Sequence, residues 1–187
     1  MLFYDKIFEN TDFSVEPPEK GEYEDCSFVR CNFSRADLSG IDFFECRFSH
    51  CDLSMVKPVH TAFRDVSFEH CKLLGVSFDQ CNDILLSFRF GNSVLDFSSF
   101  HRMKLKGIHF KDCKLEGVDF SECDLQNAVF ENCDLSGAVF ENTNLGGADF
   151  RTSFNFSIDP DGNCLRKARF SMDGAARLLE KYGVILD

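Results

Sequence analysis

The sequence predicts an all-β solenoid, on three observations. A large apolar residue returns at every fifth position, a smaller one precedes it by two, and one aromatic type dominates. From Phe100 the step of five gives Leu105, Phe110, Leu115, Phe120, Leu125, Phe130, Leu135, Phe140, Leu145 and Phe150, with Phe and Leu alternating strictly. Earlier the same step gives Tyr23, Phe28, Phe33, Leu38, Phe43, Phe48 and Leu53, then Phe63, Phe68, Leu73 and Phe78. The 187 residues include 23 Phe but 3 Tyr and no Trp, as one slot filled again and again requires.

The smaller slot holds Cys26, Cys31, Ala36, Ile41, Cys46 and Cys51, and later Cys113, Val118, Cys123, Ala128, Cys133 and Ala138. The residue between the two slots is usually polar, as at Asn32, Asp37, Asp52 and Asp124. Each unit therefore reads in-out-in-out-out. Inward residues two apart mean an extended segment, because side chains alternate across a strand. An odd period would flip the face at every repeat of a continuous strand, so the fifth residue must turn the chain. Repeated corners wind a coil. With four sides, residues 20 apart stack, so Phe lies on Phe and Leu on Leu; with three sides Phe would lie on Leu. Uniform stacks favour four sides. Coils about 4.8 Å apart make residues 23–150 a rod of roughly 30 Å.

Units such as Ala36-Asp37-Leu38-Ser39-Gly40 and Ala148-Asp149-Phe150-Arg151-Thr152 resemble the A-(D/N)-L-x-x motif of the pentapeptide-repeat family. The resemblance spans about residues 23–152, and weaker units at Phe8 and Phe13 extend it. It implies a right-handed quadrilateral parallel β-helix.

Two places break the period. Pro58 stands at a centre and lacks a backbone donor, so Met55–Val59 is expected to bulge or to leave the ladder on one side. Between Phe78 and Phe100 the forward and backward registers differ by two residues. A small bulge is expected, at Cys81-Asn82-Asp83 or over Phe88–Asn92. Ser14–Glu24, with Pro17-Pro18 and Gly21, reads as a loop after a first strand or coil.

The repeat domain is taken as residues 1–170, irregular to about 22, and residues 171–187 as a C-terminal helix and tail. Asp159-Pro160-Asp161-Gly162 is a turn, and Leu165, Ala168 and Phe170 form a last half-coil. Ser171 caps a short α-helix starting at Met172. Ala175, Leu178, Leu179 and Tyr182 give it an apolar face, and Gly183 ends it. With Ile185 and the tail Val184-Ile185-Leu186, this element caps the solenoid end or forms a homodimer contact, since an open coil edge invites uncontrolled pairing.

No apolar run reaches the length of a membrane span, and the N-terminus lacks a signal-peptide layout. The chain reads as cytoplasmic, with its ten Cys reduced. Their repeat spacing and the lack of Cys-x-x-Cys point to core packing rather than metal. His50, His60 and His70 lie ten apart on outward positions, where His50 and His70 share a column; corner residues explain them more simply than a metal or pH-sensing column does. No nucleophile–base set, phosphate loop or paired-carboxylate cleft is visible. A non-catalytic protein without cofactor is expected.

A net charge of -11 argues against direct nucleic-acid or membrane binding and for a basic partner. Residues 115–150 hold eight acids and no base: Glu116, Asp119, Glu122, Asp124, Glu131, Asp134, Glu141 and Asp149. Asp119, Asp124, Asp134 and Asp149 sit where the motif itself requires a corner-bonding carboxylate; the four Glu do not. The block is read as a solvated surface or as a partner-binding acidic face. The chain is also similar to the Qnr and MfpA group of pentapeptide-repeat proteins. That resemblance implies a DNA mimic that binds DNA gyrase or topoisomerase IV, with quinolone resistance as outcome and a C-terminal helix that dimerises. Qnr proteins carry sizeable projecting loops, whereas here only a two-residue register shift is seen. The other class kept open is a scaffold or regulatory module with a different protein partner.

Overall fold

The computed structural model describes residues 1–185. The five-residue unit fixes a short extended side and a turned corner. Four such sides close each coil, because pairing runs at a register of 20 throughout the regular part: Phe28 lies opposite Phe48 and Phe110 opposite Phe130. Every ladder is parallel.

The first side comprises β1 (Leu2–Tyr4), β3 (Glu22–Glu24), β5 (Asp42–Phe44) and β7 (Ala62–Arg64). The second comprises β2 (Ile7–Glu9), β4 (Ser27–Val29), β6 (Arg47–Ser49), β8 (Val66–Glu69), β9 (Phe88–Gly91), β10 (His109–Lys111) and β11 (Val129–Glu131). The third and fourth sides are chains of single bridges, such as Asp52 to Lys72 and Asp119 to Val139. A regular coil uses the same bonds each time. The centre N–H donates to the carbonyl 19 residues on, as from Leu125 to Asn144 at 2.9 Å. The residue before it donates 21 residues back, as from Asp52 to Cys31 at 3.0 Å.

The interior is filled with aromatic rings. Phe100, Phe120 and Phe140 stack in one column with centroids 5.4 and 5.2 Å apart, and Phe110, Phe130 and Phe150 in another at 5.2 and 4.8 Å. Rings on neighbouring sides meet edge to face, as Phe110 and Phe120 do at 5.8 Å. Both arrangements suit the ring quadrupole, and each buried ring contributes about 1.5–3 kcal/mol through burial alone.

The thiols complete this wall. Cys46 and Cys51 donate to the carbonyls of Tyr23 and Phe28, at 3.1 and 3.3 Å. Thr61, Thr143 and Ser153 make the same bond from the same slot. Burial pushes the Cys46 and Cys123 thiols up to about 12, so they stay protonated at neutral pH.

Both expected breaks are present. Pro58 is buried in its slot and keeps the ladder towards Leu38, where Leu38 N–H reaches Lys57 C=O at 3.0 Å. On its other flank, among the described residues, no bridge joins Lys57 to Ser77. The chain therefore leaves the ladder on one side and does not bulge. The register shift lies between the two stretches named for it. Asn82 still pairs with Ala62, whereas Val66 already pairs with Phe88, so Leu86-Ser87 are the inserted residues. Asp83 is pushed outward at its centre position, and Phe88 covers Phe63 instead, at 5.6 Å.

At the N-terminus, Glu22–Glu24 is strand β3 rather than loop, because Glu22 N–H meets Met1 C=O at 2.9 Å and keeps the coil register. Repeat geometry also outlasts residue 152: Phe154 pairs with Asp134, and Cys164 and Arg169 close the last half-coil. Ser171 caps α1 (Met172–Arg177), its hydroxyl accepting Gly174 N–H at 3.1 Å. α1 is shorter than expected, because residues 180–182 tighten into a 3-10 turn that ends at Gly183, with φ 66°. Leu186 and Asp187 of the C-terminal segment lie outside the described residues.

Candidate protein-binding surface

A solenoid wall offers columns rather than a cleft, so a site here is a set of outward positions 20 residues apart. The eight acids of residues 115–150 do not form one face. Asp124 lies on the first side, Glu131 and Asp149 on the second, Glu116 and Asp134 on the third, and Asp119, Glu122 and Glu141 on the fourth. Together they make a band around the rod.

Half of that band builds corners. Carboxylates of Asp119, Asp124, Asp134 and Asp149 accept the N–H two residues on, from Ser121, Gln126, Ser136 and Arg151, at 2.8–3.3 Å. This is the motif role expected of them. Bases pair with two of the four Glu and with Asp124. Glu122 is held in a fork by Arg102, Asp124 meets Lys106 at 3.2 Å, and Glu131 meets His109 and Lys111 at 3.0 and 3.4 Å. The Arg102 guanidinium holds the Glu122 carboxyl below its ordinary value, and Arg151 does the same for Asp149. Asp134 is held low as well: burial opposes this, but bonds from Ser136 and Asn155 outweigh it.

The aligned acidic column lies elsewhere. Asp5, Asp25, Glu45 and Asp65 occupy one corner of successive coils, at φ 52°, 53°, 53° and 54°. Their units also carry Glu22, Glu24 and Asp42 against a single base, Arg64. Asp65 meets Arg89 at 2.6 Å and Asp42 meets Arg64 at 3.9 Å. Among the described residues no ion pair reaches Asp5, Asp25 or Glu45. Asp tolerates the left-handed conformation, which accounts for three of the four; Glu45 has no such reason. Carboxylates stacked at about the 4.8 Å coil spacing repel one another. Residue blocks hide this column, and the step of 20 finds it.

The two-residue insertion opens the wall. Among the described residues no bridge joins Asn82 to Lys104, and a cavity of about 460 Å³ lies there. His101, Arg102 and Lys104 line it with Asp79 and Asp83, over Cys81, Leu86 and Met103. Arg102 is already committed to Glu122, and His101 Nδ1 contacts the Ser121 hydroxyl at 2.8 Å.

His50 and His70 do share a column, their rings stacked 4.8 Å apart. Among the described residues no group of three or more His, Cys, Asp or Glu is placed to hold a metal ion. Eight Cys are buried, Cys81 is half-buried and Cys164 is exposed. No described helix is long and apolar enough to cross a membrane.

At the C-terminal end the helix divides its apolar residues. Leu178 packs on the core, and a Cβ at Gly174 would lie 2.8 Å from the Phe156 ring, so this flank covers the solenoid end. Ala175 is half-buried. Met172, Leu179, Tyr182 and Ile185 are exposed, Met172 at 88% and Ile185 at 86%. The single apolar face expected over 175–182 is broken because α1 stops at Arg177.

The family profile for pentapeptide repeats matches residues 24–57 and 113–151. Comparison with curated proteins finds no match. Two trypsin-treated structures of QnrB1, a plasmid-mediated fluoroquinolone resistance protein, align with 22% identity. They cover 100% and 99% of both chains, with TM-scores of 0.53 and 0.52. HetL, a pentapeptide-repeat protein involved in heterocyst differentiation regulation in the cyanobacterium Nostoc, aligns with 17% identity. It covers 93% of this chain and 88% of its own, with a TM-score of 0.45. With its five-residue units, its register of 20 and its likeness to the QnrB1 fold, the chain carries pentapeptide repeats over residues 24–57 and 113–151 and folds as a right-handed quadrilateral β-helix.

Proposed function

We propose that this protein is a non-catalytic binding module that acts in the cytoplasm as a DNA mimic. Its acidic rod docks into a basic, nucleic-acid-binding channel of a type II topoisomerase, DNA gyrase or topoisomerase IV. The observation that carries this reading is the column Asp5–Asp25–Glu45–Asp65, flanked by Glu22, Glu24 and Asp42. Regularly spaced carboxylates on a narrow rod offer a basic channel the attraction that phosphates offer. The fold likeness to QnrB1 supports the choice of partner.

The band of Glu116, Asp119, Glu122, Asp124, Glu131, Asp134, Glu141 and Asp149 serves as a secondary contact that wraps the far end of the rod. Met172, Leu179, Tyr182 and Ile185 form a homodimer contact, with Ala175 and Leu178 holding the helix to the solenoid. A gyrase supercoiling assay with and without a quinolone tests the reading. Inhibition that weakens as salt rises is expected. No inhibition, with no binding at low salt, removes it.

The insertion favours a second reading. Leu86-Ser87 are the inserted residues at this break, too few to form the sizeable loops of Qnr proteins. A scaffold with another protein partner fits that feature. Recovery of one specific non-topoisomerase partner from cell extract supports it.

A further inference from the structure

The N-terminal end of the rod holds a pocket that neither acidic surface uses. Within each column, rings 20 residues apart stack face to face. Phe3 lies on Tyr23 at 4.5 Å, Phe8 on Phe28 at 4.9 Å and Phe13 on Phe33 at 4.6 Å between centroids. Among the described residues no ring stacks on the other face of Phe3, Phe8 or Phe13; Phe3 and Phe8 are half-buried and Phe13 is buried. The loop carrying Pro17-Pro18 passes across this end. Between loop and rings lies a cavity of about 210 Å³, with Asp12, Glu16 and Glu19 in its lining and no base there.

The face of a phenyl ring carries negative potential and attracts a cation that lies over it. Two such faces, on half-buried Phe3 and Phe8, share the lining with Glu16 and Glu19, and this combination selects charge; Asp12 already accepts bonds from Ser14 and Asn32. An anion is repelled, and a neutral apolar group gains nothing from the carboxylates. A guanidinium suits the site better than an ammonium, because it is planar, stacks on aromatic faces and sheds water more readily.

We propose that this terminal pocket binds an organic cation, the guanidinium of an arginine side chain presented by a basic protein surface. Charge complementarity chooses that occupant over a second copy of this chain, whose first 30 residues hold eight acids and three bases. The pocket binds by its own chemistry whichever protein the rod meets, so its test needs no partner.

The full-length protein, labelled for NMR, is titrated with N-acetyl-arginine amide and, separately, with N-acetyl-citrulline amide, the neutral isostere. Saturable shifts centred on Phe3, Phe8 and residues 11–19 are expected with the arginine compound, and none with citrulline. Glu16→Gln/Glu19→Gln, at exposed loop positions, should weaken binding by about fivefold. Phe8→Leu, which keeps an apolar side chain and removes the ring face, should weaken it by about threefold or more. Equal shifts with both compounds, unsaturable shifts, or shifts confined to Asp25 and Glu45 would overturn the proposal.

Discussion

The N-terminal corner column and the C-terminal acidic band carry similar charge but differ in what the fold makes of it. In residues 115–150 eight acids meet no base in sequence, yet coiling spreads them over four sides and brings Arg102, Lys106 and Lys111 against them, while Arg151 meets Asp149 from two residues on. At the other end fewer acids produce a straight column, because Asp5, Asp25, Glu45 and Asp65 share the coil period. Register, not local density, makes a charged face on a solenoid.

The largest expected effects test whether the two regions share one core. Phe48→Ala and Phe120→Ala each remove a fully buried ring from a stacked column. Each should cost about 3–5 kcal/mol in urea unfolding. A loss confined to one region would mean that the core, and not only the surface, differs between them.

A smaller effect concerns assembly. Ile185→Lys/Met172→Lys places charge on exposed apolar residues of the C-terminal end. If that end forms the dimer, light scattering should show the mass halve, while binding to the acidic column stays intact. An unchanged mass would detach the dimer proposal from this segment.

The smallest effect separates carboxylates with partners from those without. Arg151 keeps Asp149 ionised below its ordinary value of 3.8. Because the folded value is depressed, the stability this gives is fully present above the unfolded value and fades as pH falls through the folded one. Arg151→Ala should therefore lower stability at pH 6 by less than about 1 kcal/mol, and that deficit should vanish once the pH falls below the folded value. A deficit independent of pH would point to lost packing instead.

The solenoid was legible because one slot repeats. The side count followed from Phe stacking on Phe, and the roles of Asp119, Asp124, Asp134 and Asp149 followed from their place in the motif. The insertion was expected in Cys81-Asn82-Asp83 or Phe88–Asn92 and lies in neither, since a register count cannot say which residues leave the wall; only the switch from the Asn82 pairing to the Phe88 pairing does. The acidic column was missed because charge was summed along the chain, whereas side chains on this fold meet every 20 residues. The helix was overextended because its apolar spacing continues past Arg177, where the chain tightens into a 3-10 turn.

Equilibrium binding to DNA gyrase at low salt most directly compares the two acidic regions, using variants that each remove three charges. Asp5→Asn/Asp25→Asn/Glu45→Gln should weaken binding by about tenfold or more, and Glu116→Gln/Glu131→Gln/Glu141→Gln by less than about threefold. Equal losses, a larger loss from the second set, or a wild-type protein that does not bind gyrase would contradict the claim that the aligned column is what the partner grips.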